Sequence, residues 1–202
     1  MKNTYVALFL LVVLLMLLSA CEKGGEFRVY NTCSYPAYAS VNRGELVTIP
    51  ASGNHLFKID TDRQTIFTGD VKRTVPVTLY GETYSLFDDY ENIYTDSTTI
   101  EVSAGRTLEA YLTPNKACVK VTNNSSYVIP EAEIWQLVNL NNVKVGTFSD
   151  IQPGTSRFLR VAYSVPNAQV YYKVIITGIE YQYVSGFLQK DEQFLVMVED
   201  QE

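Results

Sequence analysis

After residue 26 the chain alternates. Val75, Val77 and Leu79 are apolar with Pro76 and Thr78 between them, and Ile100 and Val102 lie between Thr99, Glu101 and Ser103. Leu108, Ala110 and Leu112 alternate with Glu109, Tyr111 and Thr113, and Val170, Tyr172, Val174 and Ile176 form another row. A period of two sends one set of side chains to each face of an extended strand, which a helix of period 3.6 does not do. Turn signals separate the runs: Asn42-Arg43-Gly44, Ala51-Ser52-Gly53-Asn54, Ser103-Ala104-Gly105, Asn139 to Asn142, and Pro153-Gly154. Helical periodicity longer than two turns is not found in this part of the chain. Fifteen Tyr and nine Phe against 11 Gly and 7 Pro fit the same reading, because aromatic side chains pack well on a pleated surface. Short strands at this spacing predict an all-β chain of antiparallel sandwiches.

The chain also repeats itself. Arg28-Val29-Tyr30-Asn31-Thr32-Cys33-Ser34-Tyr35 matches Lys120-Val121-Thr122-Asn123-Asn124-Ser125-Ser126-Tyr127. IPASGNHLFKI (49–59) matches IQPGTSRFLRV (151–161), and LYG (79–81) matches ITG (176–178). The order is kept while the offset moves from 92 to 102 to 97, as hairpin insertions produce. Two tandem domains are expected, 26–114 and 115–202, joined at Leu112-Thr113-Pro114-Asn115-Lys116. A single larger sandwich is the alternative. The pattern of a first strand ending in Asn-x-Ser-x-Tyr, then a Pro/Gly turn into an alternating strand, resembles small immunoglobulin-like or transthyretin-like domains of Bacteroidetes surface lipoproteins. That resemblance implies glycan binding, pilus assembly or no assigned activity, and it carries no catalytic residue to this chain.

The start of the chain is of another kind. Lys2 precedes VALFLLVVLLMLLSA (6–20), which holds no charge. This is the length of a signal-peptide apolar core and short for a membrane-spanning helix. Leu18-Ser19-Ala20-Cys21 resembles the lipobox of bacterial lipoproteins. The resemblance implies that 1–20 is a cleaved signal peptide and that Cys21 carries diacylglycerol, with a further acyl chain, such as palmitate, on its new amine. An ordinary signal peptide, or a single span with a chance cysteine, is the alternative. Residues 21–25 read as a flexible tether. The acidic residues after Cys21 resemble the surface-export signals of Bacteroidetes lipoproteins, so the expected address is the outer membrane, periplasmic or surface-exposed.

Three cysteines are an odd number for an exported protein. Assigning Cys21 to lipid leaves Cys33 and Cys118 in a compartment that permits disulfides. In an immunoglobulin-like sandwich the first strand can run parallel to the last. Cys33 and Cys118 would then share one pole, and a bridge between them is expected. It would close a loop of roughly 86 residues and stabilise by about 4 kcal/mol in the chain-entropy model. Two separate buried thiols are the alternative.

The inventory for catalysis is thin. One His, His55, aligns through the repeat with Arg157 at a solvent-facing strand position. A single His cannot build a His-rich zinc site, and neither Cys33 nor Cys118 has a C-x-x-C neighbour. Two acidic knots remain, Asp88-Asp89-Tyr90-Glu91 within the loop 87–92, and Asp60-Thr61-Asp62. Their spacing is not that of a calcium loop, although close carboxylates suit that cation. No metal, cofactor or catalytic residue is expected, and the chain is read as not an enzyme. Asp96-Ser97-Thr98 resembles the O-glycosylation signal of Bacteroidetes exported proteins.

The aromatic residues are the stronger candidates. If Ala132 and Ile134 face the core, Trp135 shares the outer face with Glu131 and Glu133. Tyr181 and Tyr183 share one face of a later strand. Rings with polar rims suit sugar stacking or docking of a partner, while packing is the ordinary role of such residues. The net charge of −6 argues against nucleic acid, which requires a basic face. The expected function is a non-catalytic, membrane-anchored interaction, adhesion or envelope-assembly module that meets a protein partner at a strand edge. The alternative is a carbohydrate-binding accessory lipoprotein of a glycan-uptake system, with Trp135, Tyr181 and Tyr183 as its platform.

Overall fold

The computed structural model describes residues 23–62, 69–138, 141–179 and 182–200. Cys21 and Tyr181 lie outside the described residues. The chain is all-β, and the described residues contain no helix. The strands of residues 25–112 are β1 (Gly25–Asn31), β2 (Ala37–Val41), β3 (Val47–Ile49), β4 (Asn54–Ile59), β5 (Lys72–Gly81), β6 (Leu86–Asp88), β7 (Ile93–Thr95), β8 (Ser97–Ser103) and β9 (Thr107–Leu112). Those of residues 117–198 are β10 (Ala117–Asn123), β11 (Ile129–Val138), β12 (Asn141–Ile151), β13 (Ser156–Val161), β14 (Tyr171–Ile176), β15 (Tyr183–Val184) and β16 (Gln193–Val198).

The same assembly occurs twice. A three-stranded sheet β4-β1-β9 faces a four-stranded sheet β3-β2-β5-β8, and β13-β10-β16 faces β12-β11-β14-β15. Each three-stranded sheet is mixed. The first strand pairs antiparallel with one neighbour and parallel with the last strand, β1 with β9 and β10 with β16. The alternating rows of the sequence supply two separate cores. Phe27, Val29, Ile49, Val75, Val77, Leu79, Val102 and Leu112 belong to one. Val119, Val121, Ile129, Ile134, Ile151, Tyr172, Val174 and Ile176 belong to the other. Leu108 departs from the expected row. It stays 37% exposed at the start of the edge strand β9, while Ala110 packs against the core and Leu112 is buried in it.

The repeated Asn continues the inward row of β1 and β10 and is buried. A buried amide must be satisfied, and both are, in the same way. Asn31 Nδ2 donates to the carbonyls of Tyr35 and Ile49, and Cys33 N donates to Asn31 Oδ1. Asn123 Nδ2 donates to the carbonyls of Tyr127 and Ile151, and Ser125 N donates to Asn123 Oδ1. Each Asn therefore ties the loop after its strand to the end of the third strand of the same half.

The tether is shorter than expected. Gly25 is already inside β1 and buried. A Cβ at Gly25 would meet Val102 Cγ1 at 2.4 Å and Ser103 O at 2.5 Å. Gly24 is held on both sides: its N donates to Thr61 Oγ1 at 3.0 Å, and Gly105 N donates to its carbonyl at 2.7 Å. The two glycines are there for close packing and a positive φ, not for flexibility.

Candidate functional site

The densest polar constellation lies where the two halves meet. Glu82 follows Leu79-Tyr80-Gly81 as Ile179 follows Ile176-Thr177-Gly178, so a carboxylate stands where the second half has an apolar side chain. It is 1% exposed. Lys120 Nζ donates to Glu82 Oε1 at 2.8 Å and Tyr38 OH to the same oxygen at 3.4 Å, while Gln193 Nε2 donates to Oε2. A buried carboxylate is costly unless paired and hydrogen-bonded, and here every partner but Tyr38 comes from the other half. Burial, with Glu82 beside it, pushes the Tyr38 hydroxyl up to about 12.

Three further sets of contacts cross the same joint. Arg160 forms a two-pronged pair with Asp96, Nη1 to Oδ1 and Nη2 to Oδ2, and lies over the Tyr80 ring. This is the geometry in which Arg binds carboxylate best. Tyr38 stacks between Tyr80 at 5.1 Å and Phe158 at 6.0 Å. Asp191 accepts from Ser34 N at 2.9 Å, Ser34 Oγ at 2.8 Å and Thr83 Oγ1 at 2.6 Å. Asp96, read from sequence as part of a glycosylation signal, is thus committed to Arg160.

Cys33 and Cys118 do not form the expected bridge. Both are free and buried. Cys33 Sγ lies 3.4 Å from the Leu112 carbonyl, within its own half. Cys118 is not in the connecting segment but inside β10, on the face away from the second core, where Gln193 Nε2 reaches its sulfur at 3.8 Å. The two thiols therefore point at different partners. Burial pushes Cys33 up to about 11 and Cys118 up to about 12.

Trp135 stands on the outer face of β11, since Ala132 and Ile134 are fully buried. Its Nε1 donates to Glu133 Oε2 at 2.9 Å, Lys144 Nζ donates to Glu133 Oε1 at 2.9 Å, and Lys173 Nζ lies 5.9 Å from the ring. Hydrogen bonds from Lys144, then Trp135, hold the Glu133 carboxyl below its usual range. Tyr183 does not join this face. It pairs with Val174, an inward residue, and packs against the second core. The expected platform of Trp135 with Tyr183 is therefore split between two faces of one sheet.

A different aromatic pair is exposed. Tyr30 and Tyr111 stack with ring centroids 4.7 Å apart and 7° between planes. Both hydroxyls donate to Glu109, at 3.1 and 3.0 Å, and Arg28 Nη1 donates to the Tyr30 hydroxyl at 3.4 Å. The parallel register of β1 with β9 places Tyr30 opposite Tyr111 and Arg28 opposite Glu109. The only advance sign was the expectation that first and last strands run parallel.

The acidic knots serve their own loops. Asp88 Oδ1 accepts from Tyr90 N at 2.9 Å and Glu91 N at 3.1 Å. Thr61 is buried and anchors Gly24, and the Asp60 carbonyl accepts from Arg73. His55 is not on the solvent face. It lies opposite Val29 and meets the Phe57 ring edge-on at 4.6 Å.

No protein-family model matches the chain, and no curated protein matches it. Among solved structures it is similar to the Bacillus anthracis TIE protein, at 16% identity and TM-score 0.32, over 88% of this chain and 34% of that one. The chain thus spans about a third of that protein. It is also similar to a major pilin protein from Streptococcus pyogenes, at 9% identity and TM-score 0.26, over 90% of this chain and 99% of that one. A cell-adhesion candidate from Bacteroides ovatus aligns at 8% identity and TM-score 0.27, over 87% of this chain and 93% of that one. None of these likenesses carries a function across.

Proposed function

We propose that the chain is a non-catalytic lipoprotein of the bacterial envelope, anchored through Cys21, that presents two domains, 26–114 and 115–202, as one rigid interaction module. The observation that carries this reading is the joint at Glu82. A buried carboxylate satisfied by Lys120 and Gln193 spends polar groups on a fixed angle between the halves rather than on an open cleft. A fixed angle serves a protein that displays surfaces. The surfaces offered are sheet edges. β9 and β16 are edge strands, and β16 exposes Leu195 and Met197. An exposed apolar edge is a template for an added strand, so the partner is an envelope protein that pairs with β16. A photo-crosslinker at Met197 in living cells tests this. A discrete adduct at Met197, absent with the crosslinker at Val165, is expected. Equal background at both positions counts against it.

A second reading, glycan binding, draws support from the Tyr30–Tyr111 stack with its Glu109 acceptor. It predicts that Tyr111→Ala abolishes glycan retention while Trp135→Ala leaves it. Retention unchanged in both variants removes it.

A further inference from the structure

The membrane anchor and the first half are closer together than a tether of five residues implies. We infer that the pole of the first half around Gly24 and Gly105 rests on the membrane and takes phospholipid headgroups into the recess lined by Lys23, Lys58, Arg106, Glu26 and Asp60. The inference rests on lipidation of Cys21 and extends that reading to a defined surface.

Chain length comes first. Gly24 is fixed to the body through Thr61 and Gly105, as shown above. Only residues 21–23 separate this fixed point from the acylated sulfur. At no more than about 3.5 Å per residue they span roughly 10 Å. The polar layer on each side of the hydrocarbon core is itself several ångströms deep. The pole therefore stays within a few ångströms of the headgroups. Its loops at 60–62, 70–71 and 104–106 are the parts of the body nearest the anchor, since Gly24 is held by Thr61 and Gly105 and the Val71 carbonyl accepts from Ala104 N.

Charge comes second. The recess measures about 450 Å³. Lys23, Lys58 and Arg106 line it together with Glu26 and Asp60; Glu26 also accepts from Thr107 Oγ1 at 2.8 Å, and Arg106 lies 3.9 Å from the exposed Asp70 carboxylate. Lys58 and Glu26 lie directly opposite each other on β4 and β1. Interleaved charges of both signs suit a zwitterionic headgroup, with phosphate toward Lys58 and Arg106 and ammonium toward Glu26 and Asp60. A purely anionic surface is a poorer match, as is a neutral polymer. Each contact at such a wet surface is weak, but the anchor makes it intramolecular, so a weak contact suffices to orient the body.

Amide hydrogen exchange on the processed, full chain tests the inference. The chain is compared on phosphatidylethanolamine vesicles and as the soluble C21A form, and the mass of the N-terminal peptide reports lipidation. The expected result is that amides at 58–60 and 105–107 exchange about fivefold or more slowly on the vesicle, while those at 125–127 and 154–155 do not change. A Gly-Ser insertion of about ten residues after Lys23 adds roughly 18 Å of reach and should abolish the protection while leaving the chain membrane-bound. Lys58→Glu with Arg106→Glu should also lower it. An unmodified Cys21 overturns both the lipoprotein reading and this inference. A lipidated Cys21 with unprotected amides at 58–60 and 105–107 overturns this inference alone, as does protection that survives the insertion or the double substitution.

Discussion

Asp191 of the second half holds Ser34 of the first through both the backbone N and the Oγ of Ser34, at 2.9 and 2.8 Å. Within the second half, Asp200 holds Ser126, the repeat partner of Ser34, through the same two groups at 2.8 and 2.9 Å. The first half has no acid of its own at that place and borrows one across the joint. The borrowed residue sits in the turn before β16 with φ at 65°, where the matching turn before β9 has Gly105 at 67°. The second half thus accepts a left-handed aspartate, which costs about 1 kcal/mol relative to glycine, and gains a carboxylate aimed at Ser34 and Thr83.

Asp191→Gly therefore separates strain from attachment. It relieves the turn but removes three hydrogen bonds to a charge, each worth up to about 1.5–3 kcal/mol when well buried and less where exposed, as at Ser34. The expected outcome is a lower melting temperature and two halves that align independently in residual dipolar couplings, where the native chain gives one alignment frame. A single frame with a raised melting temperature would show that the turn, and not the joint, dominates.

Glu82 offers a sharper test. Lys120→Met leaves its carboxylate buried without a cation, and such one-sided deletions cost on the order of 3 kcal/mol. Glu82→Ile, the residue found at the matching place in the second half, removes the charge itself. The double variant Glu82→Ile with Lys120→Met should therefore be more stable to urea than Lys120→Met alone. A double variant less stable than either single one would mean that the ion pair itself is a net source of stability.

The duplicated Asn makes a third prediction. Asn31→Ala and Asn123→Ala each leave buried carbonyls without donors, at about 1–3 kcal/mol for each group. The two losses should agree to within about 1 kcal/mol, because three hydrogen bonds recur in both sets and each Asn has one more of its own, Asn31 to the Pro50 carbonyl and Asn123 from Ser125 Oγ. Asn→Asp at either position should cost at least as much, since an acceptor replaces the donor facing two carbonyl oxygens. Chemical denaturation of the four variants measures this. Strongly unequal losses would mean that the two cores differ in how they absorb the defect.

The sequence was informative where a local pattern sets the structure. Val75, Val77 and Leu79 go inward because alternation and burial have the same period, and Asn31 and Asn123 could be matched because each ends a strand in the same short phrase. The parallel approach of β1 to β9 followed from the sandwich type. What stayed hidden depends on partners far along the chain. Nothing beside Glu82 marks it as buried, since its cover arrives with Lys120 and Gln193. The one local sign was the exchange of Ile179 for a carboxylate at a repeat position, and for Asp191 the exchange of a glycine. The face of Tyr183 was hidden for the same reason. Its face is set by pairing with Val174. Gly24 and Gly25 read as slack because glycine permits both flexibility and close packing, and only distant partners decide between them, Val102 for Gly25 and Thr61 with Gly105 for Gly24.

The thiols give a prediction with a pH axis. Burial raises Cys33 from 9.0 to about 11 and Cys118 from 9.0 to about 12. The thiolate is the reactive form, so at neutral pH both residues should react with a disulfide reagent only as fast as the surrounding structure opens. In denaturant without reductant, two thiols per lipidated chain should react at once. Because the folded values lie above the unfolded ones, the protonated thiols contribute stability that is fully present below pH 9. It declines as the unfolded state ionises, and is lost as pH rises through about 11 and about 12. Cys118→Ala should flatten that decline more than Cys33→Ala, since its shift is the larger. Fewer than two reactive thiols in the denatured chain would restore a bridge and remove both expectations.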